Sequence, residues 1–592
     1  MFDMEIYYFP AAAKPFEWRN CSSTFNPLSA NPELKFKNMK RLIALLLSRL
    51  LLGIVICSAF GGLQPVICNL YAQPVTQEWV RRYNEPSNMN DHTTSLALDK
   101  LGNVIVTGYC QTSTQSTNIV TVKYSPSGVQ QWVVPFNYQS NVADEPDAMV
   151  IDTAGNIYIA ASCGSFFTEI YDCVLLKYKP TGTLEWFKGY GNFTGAFAAK
   201  DLIIDRQGNI YVAGNTNVPT PNSIFLLKYS PEGDTVWTRK YKEPGYIINY
   251  AETIALDSLN NIIIGGECVV NSSYSGGESL VLKYSSTGSY LWSATYNSGG
   301  VNTSDVIYKV GIDYNGNVYA TGMGNYSPDM LTIKYNSAGT MQWLRLYNGF
   351  STGGDNAASL AIDITGNIYI TGPSMGPTFN YYDYVTIKYN SNGDSLWVKR
   401  YNGTGNGGGA AYDIELDDSS NVYVVGYGGG NISTIKYTTT GTQQWVAQYP
   451  GGLTNLYVGK RLKVNSQRNV YVIGNNSDSG TGIDYITIKY SQLVGLNPIS
   501  ANIPSEFELS QNYPNPFNPV TKIKFEIPKP TYVKITISDL LGKYIETVVD
   551  ERLNTGEYEK TWNGNGYSSG IYFYTMFADG NRIESKKMVI AK

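Results

Sequence analysis

Residues 359–401 read SLAIDITGNIYITGPSMGPTFNYYDYVTIKYNSNGDSLWVKRY, and this stretch decides the fold. An apolar run ends in Asp363, a turn closes on Gly366-Asn367, and a β-rich run follows from Ile368. After a loop, a third run ends in Lys388-Tyr389, and a turn bearing Gly393 leads to a fourth run with Trp397 and Tyr401. β-branched and aromatic runs between Gly, Asn and Ser turns read as four short antiparallel strands. Trp397 and Tyr401 share one face of the last strand, because side chains alternate with period two.

Outward from this unit, the pattern recurs along most of the chain. Tryptophan stands at Trp79, Trp132, Trp186, Trp237, Trp292, Trp343, Trp397 and Trp445, each with an aromatic four residues later. Lys-Tyr occurs eight times, ending in Tyr124, Tyr178, Tyr229, Tyr284, Tyr335, Tyr389, Tyr437 and Tyr490, and seven of these precede a Trp by eight residues. The last Lys-Tyr has no Trp after it, and the first Trp has no Lys-Tyr before it. A repeat of about fifty residues with that offset predicts an all-β, eight-bladed β-propeller over 78–490, its last blade completed by the N-terminal Trp79 strand.

Spacing separates scaffold from decoration. The interval from turn Asn to Lys-Tyr runs from sixteen residues (Asn421 to Tyr437) to twenty-three (Asn261 to Tyr284), whereas Tyr to Trp is fixed. The varying loops share a rim with the blade-to-blade loops, so that rim is the expected binding face. The unit resembles the SBBP β-propeller repeat of bacterial secreted and surface proteins, which implies an extracellular propeller and no common chemistry.

After a linker at 491–506, residues 507–592 carry a second set of strand and turn signals, suiting a small Ig-like β-sandwich. The run Asn512, Tyr513, Pro514, Asn515, Pro516, Phe517, Asn518, Pro519, together with DLLGK (539–543), GEYEKTWNG (556–564), SSGIYFY (568–574) and the ending with Lys586, Lys587 and Met588, resembles the type IX secretion C-terminal sorting domain of Bacteroidetes-type bacteria. That resemblance implies the type IX machinery as partner and a secreted or outer-membrane cell-surface destination.

The segment 39–72 has a basic start at Lys40-Arg41, an apolar run and a small Ala72, the grammar of a signal peptide. Residues 1–38 then read as an upstream misread or a disordered extension. Net charge is −4, which lacks the footprint of a nucleic-acid binder. One histidine, His92, leaves no base for a nucleophilic triad, and the remaining cysteines, Cys110, Cys163, Cys173 and Cys268, have no metal-ligand spacing. Cys163 and Cys173 flank one hairpin; a disulfide and free buried thiols both fit.

The turn aspartates (Asp99, Asp152, Asp205, Asp257, Asp313, Asp363, Asp417) are expected to cap backbone N–H groups rather than to hold calcium. The Lys of each Lys-Tyr is expected to pair with them in a structural ring. Gly128–Trp132 and Gly393–Trp397 share a spacing with the docking turn of eight-bladed quinoprotein dehydrogenases. Tyr124 and Tyr389 stand where that motif has Asp, so the match reads as blade packing, and no cofactor is expected. Asp91, Asp144, Asp305 and Asp355 recur in the blade-to-blade loops and are the binding candidates, as an acidic mouth on the variable rim. The reading is a monomeric, non-enzymatic binding or adhesion scaffold for a glycan or surface protein. The alternatives are a polysaccharide-active enzyme using those loop carboxylates, or a structural surface component.

Overall fold

The structure is a computed structural model. It describes residues 75–591 except 114–115, 141, 166–169, 192–194, 219–221, 271–275, 300–303, 325–328, 351–352, 378–380, 404–407, 451–457, 479–481, 493–503 and 554. The expected leader, 39–72, and the segment 1–38 lie outside the described residues.

The repeat region is a β-propeller of four-stranded antiparallel sheets. Blade one lays Asp91–Leu98, Val104–Gln111, Thr117–Tyr124 and Gln130–Phe136 side by side in chain order. Blades two to seven repeat this over 143–190, 197–241, 248–296, 306–347, 359–401 and 409–450. The eighth sheet joins Val458–Val464, Val470–Asp478 and Gly482–Gln492 to the N-terminal strand Val75–Tyr83, with Tyr83 opposite Tyr485 and Val75 opposite Gln492.

Second and third strands are sandwiched between neighbouring blades, so they read as continuous apolar runs; Ile210–Thr216 is buried throughout. Fourth strands face solvent on one side, and Leu184–Tyr190 alternates accordingly. Each core cluster is shared between two blades: Tyr158, Ala160, Cys173 and Leu175 pack on Phe197, Leu202, Val212 and Phe225. Burying each large apolar side chain contributes about 1.5–3 kcal/mol, which makes these interfaces the main stabilising term.

The tight-turn face is built by one hydrogen-bond scheme. Asp99 Oδ1 accepts the N–H groups of Leu101 and Asn103 at 2.9 Å, and Asn103 Nδ2 donates to Asp99 Oδ2 at 2.7 Å. The same clamp recurs at Asp152, Asp205, Asp257, Asp313, Asp363 and Asp417. The lysines do something the sequence did not suggest. Lys123 and Lys283 pair with Asp99 and Asp257 at 3.0 and 2.9 Å, but they also reach the next blade. Lys123 Nζ donates to Pro180 O, Lys334 to Ser391 O, and Lys388 to Thr439 O. In five blades the Trp indole donates to that same carbonyl, as with Trp132 to Pro180 O and Trp343 to Ser391 O. The turn glycine then lies flat on that ring: a Cβ on Gly182 would sit 2.8 Å from Trp132, and one on Gly393 2.8 Å from Trp343. Each Trp from Trp79 to Trp397 therefore docks the turn of the following blade, not its own.

The seam between blades seven and eight departs from this scheme, because no turn links Gly482–Gln492 to Val75–Tyr83. Gln492 supplies the missing acceptor from its side chain. Its Oε1 takes Lys436 Nζ at 2.7 Å and Trp445 Nε1 at 3.1 Å, while its Nε2 donates to Tyr423 Oη and Arg468 O. Burial holds the Lys436 ammonium down to about 8, against the pull of Asp417.

The C-terminal module packs a three-stranded sheet (Glu508–Leu509, Val520–Ile527, Gly556–Asn563) on a four-stranded one (Tyr544–Leu553, Thr531–Asp539, Gly570–Ala578, Asn581–Ile590). Phe517, Phe525, Ile535, Tyr558, Trp562, Tyr574 and Met588 form its core. The Pro-rich run fastens the last strand: Phe517 N donates to Val589 O, Ala591 N donates back to Phe517 O, and Asn515 Oδ1 accepts Val589 N. Asn512 is buried and donates to Pro514 O and Thr521 Oγ1, while Tyr513 stands exposed.

Candidate functional site

Asp91, Asp144, Asp305 and Asp355 are fully buried, so they do not form an open acidic mouth. Each accepts a backbone N–H from the start of its own blade-to-blade loop: Glu85 N, Tyr138 N, Ser298 N and Gly349 N, at 2.6–2.7 Å. Asn249 holds the corresponding place in blade four and accepts Glu243 N. These side chains fix where the rim loops begin. Burial pushes the carboxyls of Asp91 and Asp144 up to about 6, opposed by the backbone hydrogen bond and by a thiol, Cys110 and Cys163 respectively. That thiol donor accounts for Cys110 and Cys163, whereas Cys268, at the same repeat position, donates to Glu278 O at 3.7 Å.

The disulfide option fails on register. Ser162 lies opposite Cys173, so Cys173 shares Ser162's face of the sheet and Cys163 takes the other. Cys163 packs with Ile157 and Met149, whereas Cys173 packs with Phe197 and Phe225, and both thiols are free. Among the described residues, no group of three or more His, Cys, Asp or Glu is arranged to hold a metal.

A different set of residues reaches the channel. First strands lie innermost, where Ser162 Oγ accepts Ala199 N of the next blade, Asn215 Oδ1 accepts Ala251 N, and Asn475 Oδ1 accepts Thr93 N across the seam. Seven of these strands carry a bulge at the same place, such as Thr93/Ser95, Pro146/Ala148 and Ala199/Asp201. A bulge leaves one residue unpaired and re-aims its side chain. The residues so placed are Thr94, Asp147, Lys200, Glu252, Tyr308, Tyr412 and Lys460; Ala358 occupies the position in blade six.

All eight stand five residues before the turn Asp, or before Asn465 in the last copy. Their neighbours two positions on are uniformly apolar (Leu96, Met149, Leu202, Ile254, Val310, Leu360, Ile414, Leu462), yet no single residue type dominates the bulge. Sequence reading passed over this set, although the fixed offset combined with changing chemistry was the available signal.

The ring has a charged arc and an uncharged one. Lys200 Nζ lies 3.5 Å from Glu252 Oε1, and Ser162 Oγ donates to Asp147 Oδ2 at 2.8 Å. Burial pushes Asp147 and Glu267 up to about 7; Lys200 opposes this in both, and Glu252 adds to it in both. Tyr308 Oη contacts Met323 Sδ at 3.2 Å. Tyr308, Ala358 and Tyr412 supply the uncharged side, and Thr94 stands between the charged Lys460 and Asp147. Toward the tight turns lies a cavity of about 850 Å³ whose lining mixes apolar Leu98, Ile151 and Ile204 with polar Asp99, Lys463 and Asn465. His92 is used at the seam, where Nδ1 lies 2.9 Å from Asn475 Nδ2.

Comparison with known proteins agrees with this division of the chain. Residues 511–591 match the family model described as a secretion system C-terminal sorting domain, and residues 189–219 match a β-propeller repeat. A WD repeat-containing protein of Acanthamoeba polyphaga mimivirus is 24% identical over 366 residues. The match takes in 54% of this chain, which spans about a quarter of the length of that relative (24%). Similar solved structures include PorZ, a surface component of the type IX secretion system of Porphyromonas gingivalis, with 13% identity, TM-score 0.37, 85% of this chain and 74% of that one. The WD40 domain of SCAP from fission yeast has 8% identity and TM-score 0.40, covering 71% and 98%. The chain is a β-propeller with a type IX sorting domain, directed to the cell surface or beyond.

Proposed function

We propose that the exported propeller is a monomeric, non-enzymatic binding scaffold that holds a glycan or surface-protein ligand on its loop face and at the channel mouth. One observation carries this reading: around eight nearly identical blades, one position per blade, bulged in seven of them, presents Thr, Asp, Lys, Glu, Tyr, Ala, Tyr and Lys. A purely structural ring has no need of such variety at one geometrically fixed position, whereas a ligand with unlike sides does. Bulges beside binding sites are a recurrent device for aiming side chains.

The test is a glycan and polysaccharide array probed with the exported chain, followed by an assay for reducing ends on each hit. Binding without cleavage is the expected result; release of reducing ends overturns the non-enzyme reading. A polysaccharide-active enzyme is the second reading. It is favoured by channel carboxyls, Asp147 and Glu267, that burial holds near 7, where one can give a proton and another take it. Their replacement by amides would then abolish turnover, with binding retained.

A further inference from the structure

A sorting module has to be recognised on its own surface, whatever cargo precedes it. Most of its large apolar side chains are hidden in the core between its two sheets. Leu540, Leu541 and Tyr544 are not. They are 63%, 92% and 61% exposed and take no part in that core. All three stand at the tip of one hairpin, which joins Thr531–Asp539 to Tyr544–Leu553.

The tip is held in one shape. Asp539 Oδ1 accepts the N–H groups of Leu541 and Lys543 at 2.9 Å, and Gly542 N donates to Asp539 O at 3.0 Å. Gly542 closes the turn at φ +81°, a conformation that side chains disfavour. The root of the hairpin is fixed as well. Trp562 Nε1 and Tyr567 Oη both donate to Glu546 Oε2 at 3.1 Å, and the two rings stack at 5.6 Å. Tyr544 Oη lies 3.0 Å from Thr547 Oγ1, so its polar end is already engaged. A pre-formed apolar tip limits the ordering cost of binding.

The turn itself does not call for leucine. The same clamp closes the propeller turns, where the place of Leu540 is held by Lys100, Arg206 and Asp418, and that of Leu541 by Gln207, Asn315 and Ser419. Polar residues suit those turns. Folding therefore gives no reason for two adjacent leucines in water at this one.

The role of the module selects what covers them. The chain carries a type IX sorting domain, and the type IX machinery is the partner which that domain brings to it. A lipid bilayer cannot tell one exported chain from another, and two leucines beside the exposed Lys543 bury too little to hold a protein on it. Strand addition is also disfavoured. The ladder is broken at Ile535/Thr536 and Ile537/Ser538, just behind the tip, and bulges deter an added strand. What the hairpin offers is side chains.

We propose that the tip formed by Leu540, Leu541 and Tyr544 docks the sorting module into an apolar pocket of the type IX machinery. This does not depend on what the propeller binds. The test is secretion of the full chain from a host with a type IX system, read as the fraction outside the cell against the fraction kept in the periplasm.

Leu540→Ser/Leu541→Ser is expected to cut the exported fraction by about tenfold. Its thermal melting should be unchanged, because the residues replaced are exposed. Leu540→Met/Leu541→Met keeps an apolar tip and should export normally. So should Val520→Ser, which removes a 40% exposed apolar side chain elsewhere on the module. In an otherwise wild-type chain, a photoreactive phenylalanine analogue at position 541 should cross-link to a component of the machinery. If the serine pair melts lower, that cross-link decides alone. Undiminished export of the serine pair, or equal loss with the methionine pair or with Val520→Ser, overturns the proposal. Cross-linking from position 541 to lipid alone, or to a second copy of the chain alone, overturns it too.

Discussion

The two rims of the propeller are made from the same blades and obey opposite rules. On the tight-turn rim, Trp, Lys, Asp, Asn and Gly recur, and they are spent on one another: a carboxylate caps a turn, and an indole and an ammonium share a carbonyl. On the loop rim, what recurs is hidden: Asp91, Asp144, Asp305 and Asp355 sit beneath the loops and anchor them. What is exposed there differs from blade to blade. Regular residues bear structure on both rims, which is why the proposed ligand is placed on irregular ones.

The sharpest way to break the comparison is to strike the turn rim. Trp343→Ala removes the bond to Ser391 O, the cover over Gly393 and the stacking surface of Arg345. A loss of about 3 kcal/mol is expected in denaturant unfolding. Next comes the seam. Gln492→Ala leaves Lys436 Nζ, Trp445 Nε1 and the Tyr423 hydroxyl short of a partner at once, for about 2 kcal/mol. The same change at an ordinary exposed Gln would be close to neutral, and an equally silent Gln492→Ala would mean that the seam is held by other contacts.

The loop anchors predict a pH signature. Burial raises Asp144 from 3.8 to about 6, so between these values the folded chain holds more protons than the unfolded one. The contribution of Asp144 to stability therefore falls as pH rises from about 4 to about 6, then levels off. Asp144→Asn keeps an acceptor for Tyr138 N, as Asn249 does for Glu243 N, and should gain on the wild type across that window. Equal pH slopes for the two proteins in thermal melts would refute the raised carboxyl. The smallest effect on stability is expected in the channel: Tyr412→Ala should shift unfolding by about 0.5 kcal/mol or less while changing ligand binding. Comparable loss in both readouts would make the ring structural.

Most of the scaffold could be read from the sequence, because period-two strands, turn glycines and repeat spacing are local signals. The four-stranded unit and the sorting module were legible in this way. What Trp and Lys bond to was not, because Pro180 O and Ser391 O belong to the next blade, some fifty residues on. Asp91 and its equivalents misled for a physical reason: a loop carboxylate suggests exposure, but backbone N–H groups turn it inward. The Cys163–Cys173 hairpin misled through register, since one step along a strand moves a side chain to the other face. The bulge ring escaped because a bulge is a fault in pairing, and only paired strands reveal it.

Gln492 also sets a boundary for the life history of the chain. The strand it ends is paired with the first described strand, Val75–Tyr83, more than four hundred residues away in sequence. The circle can therefore close only once both ends of the array are present, and it opens again if either end is trimmed. Proteolytic maturation is bounded accordingly: a cut that frees the sorting module must fall beyond Gln492, and one that removes a leader must fall before Val75.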